Sequence, residues 1–375
     1  MKILLLTSSH SVYRDLINSP PENVYYNISD FAHTTKDFIL LRKVKRFLWD
    51  KYIKLKPPST YVKTDLDLIH SSSIMVLNKK PWVMDLEHVC ALTGFHVNKL
   101  FDKNYRNKII KILSSEYCKK IMPWTFAAKK SMENCFNFNW LKRKLEVVYP
   151  AFKVRSLKKT KNEKTKLLFV GRRFYVKGGK QVLDAFEILN RRYDVDLTII
   201  SDTPKEIEDK YKKIENIHFL PSNFTIETLV KNYYSKSDIF IFPSYIDTFG
   251  MVLLEAMSCG LPVITTDVYA SPEIVDNSKT GFLIHSPFSC YRANFIHKWD
   301  ENSEAWNNFV NFLKLKQPKI IGQIVEKTAI LIENKSLRKR MGKSGRREIE
   351  KGKFSIKKRN EKLERIYEEA ITLKK

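Results

Sequence analysis

Leu167-Leu168-Phe169-Val170, Leu197-Thr198-Ile199-Ile200 and Ile239-Phe240-Ile241-Phe242 are short runs with almost no polar face. Between them apolar residues recur at helical spacing, as in Ile226, Leu229, Val230 and Tyr233. A strand that is apolar on both sides is buried on both sides, which calls for a parallel sheet covered by helices. Parallel neighbours need crossover connections, so the chain from Lys166 onward is expected to be a series of right-handed βαβ units. The same rhythm runs more faintly through the first half, in Ile3–Leu6, Leu66–Ile69, Trp82–Met84 and Val147–Val148. From Ala151 to Lys166 the sequence turns lysine-rich and has nothing to bury, as an interdomain linker would. A chain of 375 residues is too long for one ordinary core, so two α/β domains are expected, spanning 1–155 and 156–353, followed by a helix over 354–375. Leu363, Ile366, Tyr367, Ala370 and Ile371 make one apolar stripe on that last helix, which must dock. The stretch from Ser286 to Gln317, rich in aromatics, interrupts the rhythm and reads as an inserted helical element.

Several classes are excluded. Cys90, Cys118, Cys135, Cys259 and Cys290 form no CxxC pair, so neither a disulfide framework nor a zinc site is indicated and a reducing cytoplasm fits. The apolar run at the N-terminus stops at Leu6 and reads as a buried strand rather than a leader. No stretch approaches the ~20 apolar residues of a membrane span. The net charge of +26 attracts nucleic acid, anionic lipid and phosphorylated substrates alike, and a lysine-rich composition accounts for it equally well. Basic residues crowd the stretch from Lys99 to Lys153, where Asp102, Glu116, Glu133 and Glu146 alone oppose them, which suggests peripheral contact with an anionic membrane.

Two constellations carry chemistry. Phe169-Val170-Gly171-Arg172 is followed by Lys177-Gly178-Gly179, a strand that ends in glycine and opens a helix. Free backbone N–H groups and a positive dipole end suit a phosphate there, and Arg172 and Lys177 add charged donors. After Ile239–Phe242 comes PSYIDTFGMVLLEAMSCGLPVITTD. It places Asp247 in the loop at the strand's carboxyl end and Glu255 on a helix beginning near Gly250. Thr248, Phe249 and Gly250 supply backbone N–H groups at that helix's start. Such a pair of carboxylates suits the hydroxyls of a sugar and a ribose on either side of a diphosphate.

The stretch from Phe169 to Ile284 resembles family 4 of the retaining glycosyltransferases (glycosyl transferases group 1). The resemblance rests on Gly171-Arg172, Lys177-Gly178, the Asp247-to-Glu255 spacing, Glu255-Ala256-Met257-Ser258-Cys259-Gly260-Leu261-Pro262-Val263, Pro272-Glu273-Ile274-Val275 and Gly281-Phe282-Leu283. It implies the GT-B fold: two Rossmann-like domains facing across a cleft, the C-terminal helix returning to the N-terminal domain. It implies a metal-independent hexosyltransferase that uses a UDP- or GDP-sugar as donor substrate and needs no cofactor. Arg172 and Lys177 would hold the diphosphate beside Gly171, Glu255 the ribose, and Asp247 with the Phe249, Gly250 and Met251 backbone the sugar. Leu220 and Pro221 would lie against the base. Trp82-Val83-Met84-Asp85-Leu86-Glu87-His88 resembles the strand whose histidine faces the sugar, making His88 a candidate catalytic residue. Asp247 stands where the family usually has Glu, and Thr7-Ser8-Ser9-His10 replaces its first glycine-rich loop. Asp-x-Asp pairs at Asp65/Asp67 and Asp194/Asp196 read as solvated turns, and no metal is called for. The implied acceptor is a glycan or lipid-linked precursor handled in the cytoplasm or at the membrane's inner face; nucleic acid is not expected. Alternatives on the same fold are a sugar-nucleotide epimerase and a pyridoxal-phosphate-dependent phosphorylase, and a basic nucleic-acid-binding protein on an inactive transferase fold is a third.

Overall fold

A computed structural model describes residues 1–7, 11–30, 55–154, 162–300 and 303–372. Ser8, Ser9, His10 and residues 155–161 of the expected linker lie outside the described residues. The chain divides into two compact units. The first comprises Met1–Ala151, Tyr291–Ser303 and Ile356–Lys375; the second comprises Phe152–Cys290 and Glu304–Ser355.

The N-terminal unit contains β1 (Lys2–Thr7), β2 (Tyr25–Asp30), β3 (Ser59–Thr60), β4 (Leu68–Ser72), β5 (Met75–Val76), β6 (Trp82–Leu86) and β7 (Cys118–Pro123). Five of these form an all-parallel sheet in the order β2-β1-β4-β6-β7, and β3 pairs with β5 alone. Every residue of β4 and β6 is buried, including the polar His70, Ser71 and Ser72 of β4. The helix Ile356–Thr372 lays Leu363, Ile366, Tyr367 and Ala370 against Ile3, Leu5, Leu68 and Val83, so the stripe docks on the first sheet. Burying each large apolar side chain contributes about 1.5–3 kcal/mol. Tyr367 fixes the register of this docking, since its hydroxyl meets His70 Nδ1 at 2.7 Å and the Tyr26 hydroxyl at 2.8 Å. His70 Nε2 in turn lies 3.0 Å from Asp85 Oδ2.

Val147–Val148 differs from expectation. The segment is buried and extended, with Val148 N–H donating to Pro123 O at 2.9 Å, but it forms no regular ladder. The stretch expected as an inserted helix is two things. Only Glu304–Leu313 is helical, while Tyr291–Ser303 crosses to the N-terminal unit as an irregular strap. Its Ile296 enters that unit's core, Asp300 Oδ1 accepts from Val97 N–H at 2.5 Å, and Asn294 O accepts from Asn134 at 3.2 Å. Phe295 has φ of 64°, a left-handed conformation that a helix does not tolerate.

The C-terminal unit contains β8 (Thr165–Val170), β9 (Val195–Ile200), β10 (Ile217–Leu220), β11 (Ile239–Phe242), β12 (Val263–Thr266) and β13 (Gly281–Ile284). They form one parallel sheet in the order β10-β9-β8-β11-β12-β13. The helices Gly179–Leu189 and Met251–Ser258 follow β8 and β11 directly.

Candidate active site

In the second sheet the strand order reverses at β8, which has β9 on one side and β11 on the other. Crossovers leaving in opposite directions open a crevice at the carboxyl ends of such a pair, where ligands of open α/β sheets bind. Two loops converge there. The loop after β8 carries Gly171, Arg172 and Lys177; the loop after β11 carries Asp247, Thr248, Phe249 and Gly250.

Each loop ends in a glycine that the geometry requires. Gly178 has φ of 84°, and a Cβ there would sit 2.4 Å from Pro243 O, so only glycine lets the two loops meet. Gly250 has φ of 83° and starts the helix Met251–Ser258. Neither it nor Gly178 brings a capping side chain, so both helices begin without a side-chain acceptor on their first N–H groups. Two positive helix ends therefore open from neighbouring strands onto one crevice.

Lys177 ties the loops together. Its Nζ donates to Asp247 Oδ2 at 2.8 Å and to Ile246 O at 2.6 Å, and it lies 5.6 Å from the centre of the Phe242 ring. Both side chains remain reachable, at 18% and 21% exposure for Lys177 and Asp247. Ser244 Oγ donates to the same Ile246 carbonyl at 2.8 Å, and Thr266 Oγ1 donates to Ser244 O. The Gly171–Arg172 turn is held by its backbone: Gly171 N–H donates to Ile200 O, Ser201 Oγ to Gly171 O, and Asp202 N–H to Arg172 O. The Arg172 side chain is exposed, with no hydrogen bond or ion pair among the described residues. The loops thus present one tethered cation, one exposed guanidinium and two helix ends, an arrangement suited to a diphosphate.

Glu255 is deeper, 6% exposed on the helix Met251–Ser258, and its Oε2 accepts from the buried Tyr234 hydroxyl at 2.9 Å. Burial, and then the neighbouring Glu255 carboxylate, push the Tyr234 phenol well above its ordinary range, so it stays a donor. Phe249 is buried against Phe354, with ring centres 6.2 Å apart, and Met251 is buried in the first turn of the helix. Leu220 and Pro221 lie at the end of β10, on the sheet's edge and two strands from β8, about 10 Å away at ordinary strand spacing.

His88, expected to face the transferred sugar, is instead buried in the N-terminal unit with both ring nitrogens engaged. Nδ1 accepts from Cys90 N–H at 3.0 Å, capping the turn Val89–Thr93, which leaves Nε2–H to donate to Phe295 O at 2.8 Å. Its ring lies 4.5 Å from that of His297. Burial, and then His297, hold His88 well below the usual histidine pKa and keep it neutral. Residues of the strap account for the difference, because the Phe295 carbonyl and the Tyr291 and His297 rings lie against the imidazole.

The sequence reading missed Tyr234, which orients Glu255, and Ser244, which with Lys177 fixes the Ile246 carbonyl. Nothing in the local pattern singles out either one. Asp65, Asp67 and Asp194 are exposed ahead of β4 and β9, and Asp194 pairs with Lys164 at 2.9 Å.

Residues 153–314 match the family described as glycosyl transferases group 1. The chain is 29% identical over 206 residues to the capsular polysaccharide biosynthesis glycosyltransferase CapM of Staphylococcus aureus, covering 53% of this chain and 44% of that one. It is 30% identical over 142 residues to the lipopolysaccharide glucosyltransferase WaaG of Escherichia coli, covering 36% and 37% respectively. The matches thus span less than half the length of these relatives. Among solved structures, Anabaena Alr3699/HepE in complex with UDP-glucose superposes with a TM-score of 0.61 over 98% of this chain and 99% of that one, at 14% identity. The fold is GT-B.

Proposed function

We propose, from the match of residues 153–314 to glycosyl transferases group 1, that the chain moves a hexosyl group from a nucleoside diphosphate sugar to an acceptor hydroxyl, with retention of anomeric configuration and without a metal. The observation that carries this reading is the pair of uncapped helix N-termini at the β8–β11 switch point, with Lys177 and Arg172 between them. The anomeric C–O bond breaks, the nucleoside diphosphate leaves, and the acceptor oxygen forms the new bond on the face the diphosphate vacates, its hydroxyl proton passing to the departing phosphate oxygen. Charge developing on the departing phosphate is met by Arg172, Lys177 and backbone N–H groups, which stand ready before the reaction. Asp247 and the backbone of Thr248, Phe249, Gly250 and Met251 hold the sugar, Glu255 the ribose, and Leu220 and Pro221 the base. His88 acts on this reading through the fold, by fixing the turn after β6.

CapM and WaaG act on capsular polysaccharide and lipopolysaccharide, which supports a cell-surface glycan precursor, lipid-linked or not, as acceptor. HepE holds UDP-glucose, which makes UDP-glucose the first donor to try. The reaction is placed in the cytoplasm with peripheral contact to an anionic membrane. Among the described residues no helix is long and apolar enough to cross one. The test is incubation with UDP-glucose and other UDP- and GDP-sugars plus glycan acceptors in EDTA, with the product's anomeric configuration read by NMR. Transfer with retention supports the proposal. An inverted product, or turnover only with added magnesium or manganese, refutes the corresponding part, and epimerised donor without transfer favours the epimerase.

A further inference from the structure

A cavity of about 480 Å³ opens on the N-terminal unit beside the β3–β5 pair and the helix Lys103–Leu113. Its walls are largely apolar, with Val76 buried in the floor, Ile112 half-buried, and Leu77 at the mouth, 51% exposed. Four lysines stand around it, Lys56, Lys79, Lys108 and Lys111, and among the described residues no carboxylate lines it. Asn78 offers a ligand little, because its side-chain amide is closed onto Val62 by bonds of 2.7 and 3.1 Å. Lys108, exposed at the rim, donates to the Leu55 carbonyl at 3.1 Å.

An apolar slot of this volume is of ligand-binding size, and the charged groups that line it are all of one sign and all exposed, with Ser59, Ser115 and Tyr117 among its uncharged polar residues. A small polar anion would leave the apolar walls uncovered, and a neutral hydrocarbon would leave four cations unanswered. What fits both halves is an amphiphile with an apolar chain and an anionic head. The helix Lys103–Leu113 carries no acid within it, while Asp102 at its N-cap and Glu116 beyond its end are exposed acids that do not line the cavity, so the charge match rests on the four lysines at the slot.

We propose that this lysine-ringed slot takes an acyl chain of an anionic phospholipid from a bilayer, with Lys56, Lys79, Lys108 and Lys111 on the headgroup phosphates. The inference rests on the proposed membrane contact but not on transfer activity. It gives the N-terminal unit a specific docking point where composition alone offers only diffuse charge.

The experiment is vesicle flotation of the full chain with phosphatidylglycerol-containing and pure phosphatidylcholine vesicles at physiological salt. A lysine near an anionic bilayer is worth on the order of fivefold in binding, so Lys79→Glu/Lys111→Glu should weaken binding to phosphatidylglycerol vesicles by roughly 25-fold or more. Leu77→Asp, at an exposed position, should weaken it as well. Lys339→Glu/Arg340→Glu, an equal charge change on exposed residues of the C-terminal unit, should leave it nearly unchanged. Wild-type chain that ignores phosphatidylglycerol overturns both the slot and the membrane contact. Wild-type binding that the Lys339/Arg340 variant loses as fully as the Lys79/Lys111 variant, or that Leu77→Asp leaves intact, overturns the slot and leaves the membrane contact standing. Binding of monomeric dodecyl phosphate without binding of vesicles overturns the choice of a bilayer lipid.

Discussion

Asp247→Asn separates the two halves of the donor grip. In the free protein Asp247 competes for Lys177, whose Nζ lies 2.8 Å from Oδ2. With each side chain about a fifth exposed, that pair stands near the upper end of the range for solvent-reachable ion pairs, about 1 kcal/mol. The amide is nearly isosteric and removes the charge. It frees Lys177 for phosphate and takes a negative group away from a dianionic ligand, so affinity for the free nucleoside diphosphate should rise about fivefold. Turnover should move the other way. If Asp247 grips the sugar, losing a hydrogen bond to a charged group costs about 1.5–3 kcal/mol in the transition state, a fall of roughly 10- to 150-fold in kcat/KM with the intact donor. Calorimetry with the nucleoside diphosphate and steady-state kinetics with the sugar donor read the two effects separately. A variant that binds the nucleoside diphosphate tenfold more weakly than wild type would refute the reasoning, because it would place Asp247 on the nucleotide.

Lys177→Met should weaken nucleoside diphosphate binding by roughly 10- to 150-fold, measured by calorimetry, through loss of a charge-assisted bond to phosphate. Tyr234→Phe leaves Glu255 Oε2 short of a donor in a buried place and should cost about 1–3 kcal/mol in denaturant melts, with weaker nucleotide binding as Glu255 loses its orientation. His88→Gln should flatten the pH dependence of stability. Burial lowers the folded-state pKa of His88, so below the unfolded value near 6.5 the unfolded chain takes up a proton that the folded chain refuses. This group's contribution therefore falls as pH drops below about 6.5, by up to about 1.4 kcal/mol per unit, and urea melts at pH 5 and 7 should show the variant losing less than wild type.

Legibility in the sequence followed apolar contrast. β8, β9 and β11 each hold a run of mostly apolar residues, so their presence as strands could be read from the sequence, and the glycines at 171, 178 and 250 marked where the loops turn. β7 was missed because its CKKIMP sequence puts two lysines on an edge strand, and β2 because YYNISD alternates without an apolar block. The Lys177–Asp247 bond could not be foreseen, since seventy positions separate the partners and pairing depends on β8 and β11 being neighbours. The strap was not legible either. Its apolar residues Tyr291, Phe295, Ile296 and Trp299 fall at i, i+4, i+5 and i+8, a spacing that points to a helix the strap does not form, and only the tertiary fold shows Ile296 in the N-terminal core and Phe295 O on His88. A histidine motif that resembles a catalytic one was therefore legible as a motif, while what covers it was not.

The central claim is that the crevice between β8 and β11 binds a nucleoside diphosphate sugar, and thermal unfolding of the chain across a panel of UDP-, GDP- and ADP-sugars tests it most directly. A ligand at a hundredfold its dissociation constant adds about 2.7 kcal/mol to the folded state, which is roughly 5–10 °C in Tm for a domain of this size. At least one nucleotide sugar should produce such a shift in the wild-type chain, and the Arg172→Ala/Lys177→Met variant should lose it while keeping its own ligand-free transition. A panel that leaves the wild-type Tm unmoved, or a double variant that shifts as far as wild type, would contradict the account.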